Sequence, residues 1–232
     1  MCIRDSDISE VKLAIGSDKR IGDKFLNSGP GFGGSCFKKD ISKIIYISNH
    51  YGLKEVSDYW QKVIEINEWQ TKRITKLIVE KLFNTISFKK ISVLGFSFKA
   101  NTNDTRESPA IKICNDLLEE SCKISIYDPK VHPKQIEDCL KLKQSKKFSK
   151  NICGEWTFSN SVIEASQNAD AIVITTEWDE FRYIDWEKVH KEMRKPAWLF
   201  DTRSIVDVDL VNKAGINFWS IGRGSVSYTH LT

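Results

Sequence analysis

The feature that most constrains the fold is an uninterrupted helical pattern over residues 56–83, where neither glycine nor proline occurs. Apolar residues recur there at helical spacing, at Tyr59, Val63, Ile66, Ile74, Leu77, Ile78 and Leu82. This spacing predicts one long helix. At the usual rise per residue such a helix reaches about 42 Å, more than the width of a small domain, so we expect it to connect two domains.

Composition excludes several classes of protein. Of the 232 residues, 41% are hydrophobic and 28% charged, which is typical of a folded globular protein. The net charge of +4 is spread along the chain, and apolar runs fall far short of the roughly 20 residues of a membrane helix. We therefore expect neither nucleic acid nor membrane as a partner. Six irregularly spaced cysteines and 4 histidines predict no metal site and no disulfide framework, which favours a cytoplasmic protein.

Beyond the long helix, strand-like and helical runs alternate. Strands are predicted at residues 91–96, 123–127, 171–175, 198–201 and 217–220, and helices at residues 133–142, 161–167, 185–193 and 207–213. A further helix is predicted to begin with Ser108 as N-cap and Pro109 as first helical residue. This alternation predicts an α/β fold with a mostly parallel sheet covered on both faces. Residues 143–154 are expected to form a surface loop, and residues 8–15 and 41–49 helices.

A glycine-rich segment lies between those two early helices. Gly29, Gly31, Gly33 and Gly34 precede Cys36, which is expected to open a helix. Backbone N–H groups, a helix N-terminus and the neighbouring Lys38 and Lys39 would together stabilise a thiolate, so Cys36 is a candidate nucleophile. The alternative from the residues alone is an inert buried cysteine beside a tight turn.

A second polar segment, residues 94–108, follows the first predicted strand. It lies at a carboxyl end of the sheet, where α/β folds bind ligands, and its Lys99 and Arg106 could hold phosphate or carboxylate. This segment contains no GxGxxG motif, and an ordinary strand-to-helix connection is the alternative. Asp128, at the end of the second strand, either occupies the position that reads a ribose or forms a turn before Pro129.

Several ordered segments resemble the UDP-glucose 6-dehydrogenase family of nucleotide-sugar dehydrogenases. They are AIGSDKRIG (residues 14–22), GFGGSCFKKD (31–40), GFSFKANTNDTRESPA (95–110), YDPKV (127–131), TEWD (176–179) and FDTR (200–203). The resemblance runs from about residue 7 to residue 224. It implies a Rossmann-like fold, and an NAD-dependent four-electron oxidation of UDP-glucose to UDP-glucuronate through a cysteine thioester.

The resemblance also assigns roles to individual residues. Cys36 matches the nucleophile and Asp40 the carboxylate that helps to activate water. Cofactor contacts fall on Cys36, Lys39 and Arg106, and NAD is the implied cofactor. Arg20 matches an arginine that reaches the substrate of a neighbouring subunit, and the implied partner is a second copy, in a dimer or larger oligomer. The other implied substrate contacts are Phe25, Leu26, Asn27, Ser28, Gly29, Pro30, Gly31, Phe32, Gly33, Phe98, Lys99 and Arg203.

The resemblance implies a division into three parts. Residues 7–55 match a helical central domain with the catalytic cysteine, residues 56–87 a connecting helix, and residues 88–224 a UDP-sugar-binding domain. Residues 1–6 and 226–232 resemble nothing in the family and are expected to be extraneous. Family members begin with an NAD-binding domain that nothing in this sequence matches, so the chain as given is expected to be inactive. A GDP-mannose or UDP-N-acetylhexosamine dehydrogenase, or a non-catalytic nucleotide-binding or dimerisation module, are the alternatives.

Overall fold

A computed structural model describes residues 7–142 and 154–223. Its helices and strands follow one another along the chain in this order: α1 (Ile8–Gly16), α2 (Phe37–His50), α3 (Lys54–Lys81), β1 (Lys90–Leu94), α4 (Pro109–Glu119), β2 (Lys123–Tyr127), α5 (Pro133–Leu140), β3 (Glu155–Phe158), α6 (Val162–Ser166), β4 (Ala171–Ile174), a 3₁₀ helix (Asp179–Tyr183), α7 (Trp186–Glu192), β5 (Trp198–Asp201), α8 (Val208–Lys213) and β6 (Asn217–Ser220).

The strands form one six-stranded sheet in the order β3-β2-β1-β4-β5-β6. Every pair is parallel, with Ile91 of β1 opposite Ile124 of β2 and Ala171 of β4. This confirms the predicted α/β class. The strand order is that of dinucleotide-binding folds, and it reverses direction between β1 and β4. Ligands bind such sheets outside the carboxyl ends of the strands at that reversal, so we expect a binding site at the loops after β1 and β4.

Local sequence explains where the helices begin. Ser108 accepts a hydrogen bond from the Ala110 N–H and Pro109 is the first residue of α4, as the sequence predicts. The same kind of N-cap hydrogen bond, from a backbone N–H to a side-chain oxygen, is made by Asp7 at α1 and by Asp185 at α7. The long helix spans Lys54–Lys81, two residues earlier at each end than predicted. None of the described helices, α3 included, has the length and apolar content that a membrane span requires.

Strand β3 is the main element that the sequence pattern missed. It is short and follows the predicted loop at residues 143–154, of which residues 143–153 lie outside the described part. Gly154 is buried rather than exposed, and its backbone passes so close to α4 that a Cβ there would lie 2.9 Å from the Leu118 carbonyl carbon. Trp156 of β3 is fully buried, which ties the edge strand into the core.

The sheet is buried on both faces. One face packs against the carboxyl half of α3, against α4 and against α5, with Ile74, Ile78 and Leu117 at its centre. The other face packs against α6, α7 and α8, with Phe181 and Leu199 fully buried. Two-sided burial explains why β4, in the middle of the sheet, is apolar and buried at every position. The amino half of α3 extends beyond this core and carries α2.

Candidate active site

Three strand ends meet on one buried carboxylate. Asp128 follows β2 and is 3% exposed. Its Oδ2 accepts the backbone N–H groups of Phe96 at 2.7 Å and Ser97 at 3.0 Å, both after β1, and the indole N–H of Trp178 at 3.2 Å. Its Oδ1 accepts two more backbone N–H groups, those of Lys130 and Val131, each at 2.9 Å. These contacts support the turn-forming interpretation of Asp128, because its oxygens are engaged within the fold.

Arg203 lies next to this centre, directly after β5. Its Nε donates to the Thr175 carbonyl at 2.8 Å and lies 3.1 Å from Glu177 Oε2, while its Nη2 donates to the Phe98 carbonyl at 3.3 Å. Burial lowers the pKa of the guanidinium below its ordinary value, and the carboxylates of Glu177 and Asp201 partly offset this effect. The side chain, 14% exposed, therefore forms a fixed cation between the loops after β1, β4 and β5.

The glycine-rich loop is held from one side by α3. Asn67 Oδ1 accepts a hydrogen bond from the Phe32 N–H at 2.7 Å, and Asn67 Nδ2 donates one to the Phe32 carbonyl at 3.2 Å. The Thr71 hydroxyl donates to the Pro30 carbonyl at 2.9 Å. Gly31 has a φ of 132°, and a Cβ there would lie 2.8 Å from Asn67 Oδ1. The loop is therefore fixed to the helix through its backbone, and this close approach requires glycine.

On its other side the glycine-rich loop contacts the loops that follow β1 and β5. The Gly34 N–H donates to the Arg106 carbonyl at 2.9 Å, and a Cβ at Gly34 would lie 2.9 Å from the Phe98 ring. A Cβ at Gly29 would lie 3.1 Å from Nη1 of Arg203. The structure thus brings together residues of three separate segments that are predicted to bind substrate: the glycine-rich loop, the loop after β1 and the loop after β5.

Cys36 is the N-cap residue of α2 and is exposed. The Asp40 N–H donates to the Cys36 carbonyl at 2.9 Å, so the two residues lie one helical turn apart. Asp40 is exposed as well, with its carboxylate 3.7 Å from Lys43 Nζ. Cys114 and Cys122 differ from Cys36, because both are buried and burial raises the pKa of their thiols above the ordinary value. Among the cysteines within the described ranges, Cys36 is the exposed one, and Cys139 is half-buried.

Basic residues surround this cysteine. Arg106 forms a bidentate ion pair with Asp104, which raises the pKa of the guanidinium; the Cys36 thiolate makes a smaller contribution in the same direction. Lys38 Nζ lies 2.8 Å from Glu107, and this pair joins α2 to the loop before α4. Lys39 is exposed. Lys39 and Arg106, although the latter is paired with Asp104, are thus both exposed to solvent, where an anionic molecule near Cys36 could contact them.

Other predicted residues lie farther out. Arg20 is 89% exposed and pairs with Asp18 of its own loop, and Phe25 is also 89% exposed. Within the described residues of one copy, these two lie outside the Arg203 cluster, which consists of Arg203 and the residues that it contacts, Thr175, Glu177 and Phe98. Lys99 is exposed, with its Nζ 5.5 Å from the centre of the Phe98 ring.

A cavity of about 310 Å³ opens beside Arg203, between α1, the glycine-rich loop and the loops after β4 and β5. Its lining includes four cations, Lys12, Arg182, Arg203 and Arg223, and two carboxylates, Asp7 and Glu177. Leu26, Asn27 and Ser28 of the predicted substrate segment also border it. The excess of positive charge makes the cavity suited to an anionic ligand.

Sequence reasoning did not name Asn67 or Thr71 as residues of the site, although both position the loop. They lie four residues apart, hence on one face of α3. Two polar residues on the inward face of an amphipathic helix are the signal that could have indicated them. Asp128 was noticed, but no spacing rule indicates that Trp178 donates to its carboxylate.

Comparison with known proteins identifies this arrangement. Residues 92–208 match the family model described as UDP-glucose/GDP-mannose dehydrogenase family, UDP binding domain. Residues 3–69 match the central-domain model of the same family. The chain belongs to the UDP-glucose/GDP-mannose dehydrogenase family. The family resemblance inferred from the sequence motifs is thereby confirmed, and the polar loops after β1, β4 and β5 all fall within the UDP-binding match.

Relatives with curated names agree. The chain is 45% identical over 218 residues to UDP-glucose 6-dehydrogenase of Drosophila melanogaster, covering 94% of this chain and 46% of that protein. It is 43% identical over 230 residues to UDP-glucose 6-dehydrogenase 4 of Arabidopsis thaliana, covering 94% of this chain and 47% of that protein. The chain therefore spans about half the length of these relatives.

Solved structures show the same fold. A UDP-glucose dehydrogenase from Pyrobaculum islandicum superimposes with a TM-score of 0.73 at 25% identity, covering 94% of this chain and 44% of that one. A UDP-D-ManNAc dehydrogenase from Pyrococcus horikoshii gives a TM-score of 0.69 at 25% identity, covering 95% of this chain and 45% of that one.

Proposed function

We propose that this chain forms the substrate-binding and thioester-forming part of an NAD-dependent UDP-glucose 6-dehydrogenase. One observation carries the proposal: the glycine-rich loop is clamped between α3 and the Arg203 cluster while it presents the exposed Cys36 at the start of α2. A sugar nucleotide lying along that loop would have its anionic end near fixed cations and its sugar toward the thiol. The naming of the relatives at 43–45% identity supports UDP-glucose as the substrate.

The proposed chemistry uses Cys36 as a nucleophile. The primary alcohol of the hexose first loses a hydride and a proton, which gives an aldehyde. The Cys36 thiolate adds to that carbonyl carbon, and the tetrahedral adduct loses a second hydride and becomes a thioester. Water then attacks the thioester, breaks the carbon–sulfur bond and releases the carboxylate and the thiol. Asp40, one turn from Cys36, is the proposed base that orients this water.

NAD is the proposed hydride acceptor, and when bound it would supply the oxidising power for each of the two oxidations. The sheet described above does not itself offer the usual dinucleotide site, because GxGxxG is absent after β1 and Asp128 is engaged by N–H groups of the fold. Lys39 and Arg106 are nevertheless exposed beside Cys36 and fit a contact with the cofactor's phosphates. We propose that they make this contact and that the rest of the NAD site lies outside the described residues. A cytoplasmic location, where thiols stay reduced, suits this use of Cys36.

Binding of the substrate tests the proposal directly. The 232-residue chain is expected to bind UDP-glucose in titration calorimetry, and Lys99→Ala is expected to weaken that binding at least about tenfold, because a charge-assisted contact is lost. Lys54→Ala, which removes a surface lysine paired with Asp58, is the matched control and should leave the affinity unchanged. GDP-mannose and UDP-N-acetylglucosamine, titrated in parallel, should bind more weakly. No binding by the unaltered chain would contradict the assignment of UDP-glucose as substrate. Tighter binding of another sugar nucleotide would instead indicate that nucleotide as the substrate.

We further propose that the chain forms a dimer or larger oligomer through α2 and α3. Large apolar side chains on these helices are exposed, including Tyr46 of α2 and Tyr59, Ile66 and Trp69 of α3, each at least 60% exposed. A second copy would cover such side chains, whereas a monomer leaves them in water. Tyr59→Asp together with Ile66→Asp is expected to halve the mass measured by light scattering. Asp substitutions at Leu210 and Tyr183, which are 52% and 83% exposed on the far side of the sheet, should leave the mass unchanged.

A further inference from the structure

Asp128 stands out as a buried charged group that the proposed chemistry does not use. Its carboxylate links three separate segments: its own loop after β2, the loop after β1 through Phe96 and Ser97, and the loop after β4 through Trp178. The Ser97 hydroxyl also lies 3.2 Å from Oδ2, so each carboxylate oxygen has several donors. Such an anion is stabilised by its donors and in turn fixes where those donors lie.

The segment that Asp128 holds leads directly into the candidate site. The Ser97 carbonyl accepts a hydrogen bond from the Thr176 hydroxyl at 2.6 Å. The Phe98 N–H donates to the Asp104 carbonyl at 3.0 Å, and the Phe98 carbonyl accepts a hydrogen bond from Nη2 of Arg203. The Phe98 ring then packs against Gly34 of the glycine-rich loop. Residues 96–98 are thus fixed at nearly every backbone polar group, and Lys99 is the next residue along.

We propose that Asp128 is a positioning residue for UDP-sugar binding, which acts by fixing Phe98 against the glycine-rich loop and, through Phe98, the position of Lys99. This inference rests on the proposed function. Asp128 is too deeply buried to touch the ligand and would act through the backbone of Phe96 and Ser97. Asparagine at this position would replace one acceptor oxygen by an NH₂ donor, which would face N–H groups and push the loop away.

A double-mutant cycle separates positioning from general stability. In calorimetric titrations of the 232-residue chain with UDP-glucose, Asp128→Asn is expected to weaken binding about tenfold, as Lys99→Ala does. If Asp128 acts through Lys99, the double variant should lose about tenfold rather than the hundredfold of independent effects. Asp170→Asn is the matched control, since Asp170 Oδ2 also accepts a backbone N–H, that of Lys90 at 2.8 Å, but at the opposite end of the sheet. It should leave the affinity unchanged.

A milder pair of variants covers the case in which Asp128→Asn does not fold. Trp178→Phe removes one donor to Asp128, whereas Trp186→Phe removes a buried indole N–H that has no hydrogen-bond partner. Trp178→Phe is expected to weaken UDP-glucose binding about threefold and to show the same non-additivity with Lys99→Ala, while Trp186→Phe should not change the affinity. Unchanged affinity in Trp178→Phe, or additive losses in either cycle, would overturn the positioning role alone. A wild-type chain that binds no UDP-glucose would overturn the proposed function and this inference together.

Discussion

Cys36→Ala is expected to abolish the formation of UDP-glucuronate in a chimera that joins this chain to the amino-terminal portion of a relative such as the Drosophila enzyme. The rate of UDP-glucuronate formation should fall at least about 1,000-fold, because alanine cannot form the tetrahedral adduct from which the second hydride leaves. Any NADH produced should stop at one equivalent per sugar, with the aldehyde as product, whereas the unaltered chimera should give two. Absorbance at the NADH wavelength and mass spectrometry of the sugar nucleotide measure both quantities.

Ser42→Ala is the matched control for this variant. Ser42 lies on the same helix, and its hydroxyl donates to the Lys38 carbonyl at 2.7 Å, so the control tests whether alanine in α2 disturbs the site by itself. It should retain two equivalents of NADH. Cys36→Ser is expected to accumulate an ester, since an alkoxide leaves more slowly than a thiolate. Two equivalents of NADH from the alanine variant would remove Cys36 from the mechanism.

Much of the fold could be predicted because burial leaves a strong signal in sequence. Strands β2, β5 and β6 were predicted with the boundaries that the structure shows, and α4 began at Ser108-Pro109 as expected. These elements combine a run of apolar residues with a local start or stop signal. Strand β3 has neither, since it is an edge strand of four residues whose central feature is the single buried Trp156.

The site was less accessible to sequence reasoning, because its parts are joined by tertiary contacts. Motif resemblance placed Arg203 and the glycine-rich loop in one site, and the structure brings them into contact. No pattern along the chain shows that Asn67 binds the backbone of Phe32, since a hydrogen bond to a main-chain group imposes no spacing. The roles of Arg20 and Phe25 stay predictions, because both lie at the surface of a single copy.

Gly95→Ala is expected to be among the most destabilising single substitutions in the sheet. Gly95 follows β1 with a φ of 92°, and its N–H donates to the Tyr127 carbonyl at 2.7 Å. A Cβ there would lie 2.5 Å from Thr176 Oγ1 and 2.8 Å from the Thr176 N, and a backbone atom cannot move aside as a side-chain end can. Strain at positive φ and overpacking together should lower the free energy of unfolding by at least about 3 kcal/mol.

The matched control for Gly95→Ala is Gly52→Ala, which isolates the cost of the backbone conformation. Gly52 has a φ of 71°, but no atom lies within 4 Å of the position of its Cβ. Its substitution should therefore cost only about 1 to 2 kcal/mol, the price of positive φ alone. Thermal unfolding followed by circular dichroism should show a Tm that is lowered by at least about 6 to 12 °C in Gly95→Ala and by no more than about two thirds as much in Gly52→Ala. Equal shifts would mean that β1 and β4 separate readily at their carboxyl ends. In that case the loops bearing Lys99 and Glu177 would not be held rigidly enough to form a site before the ligand binds.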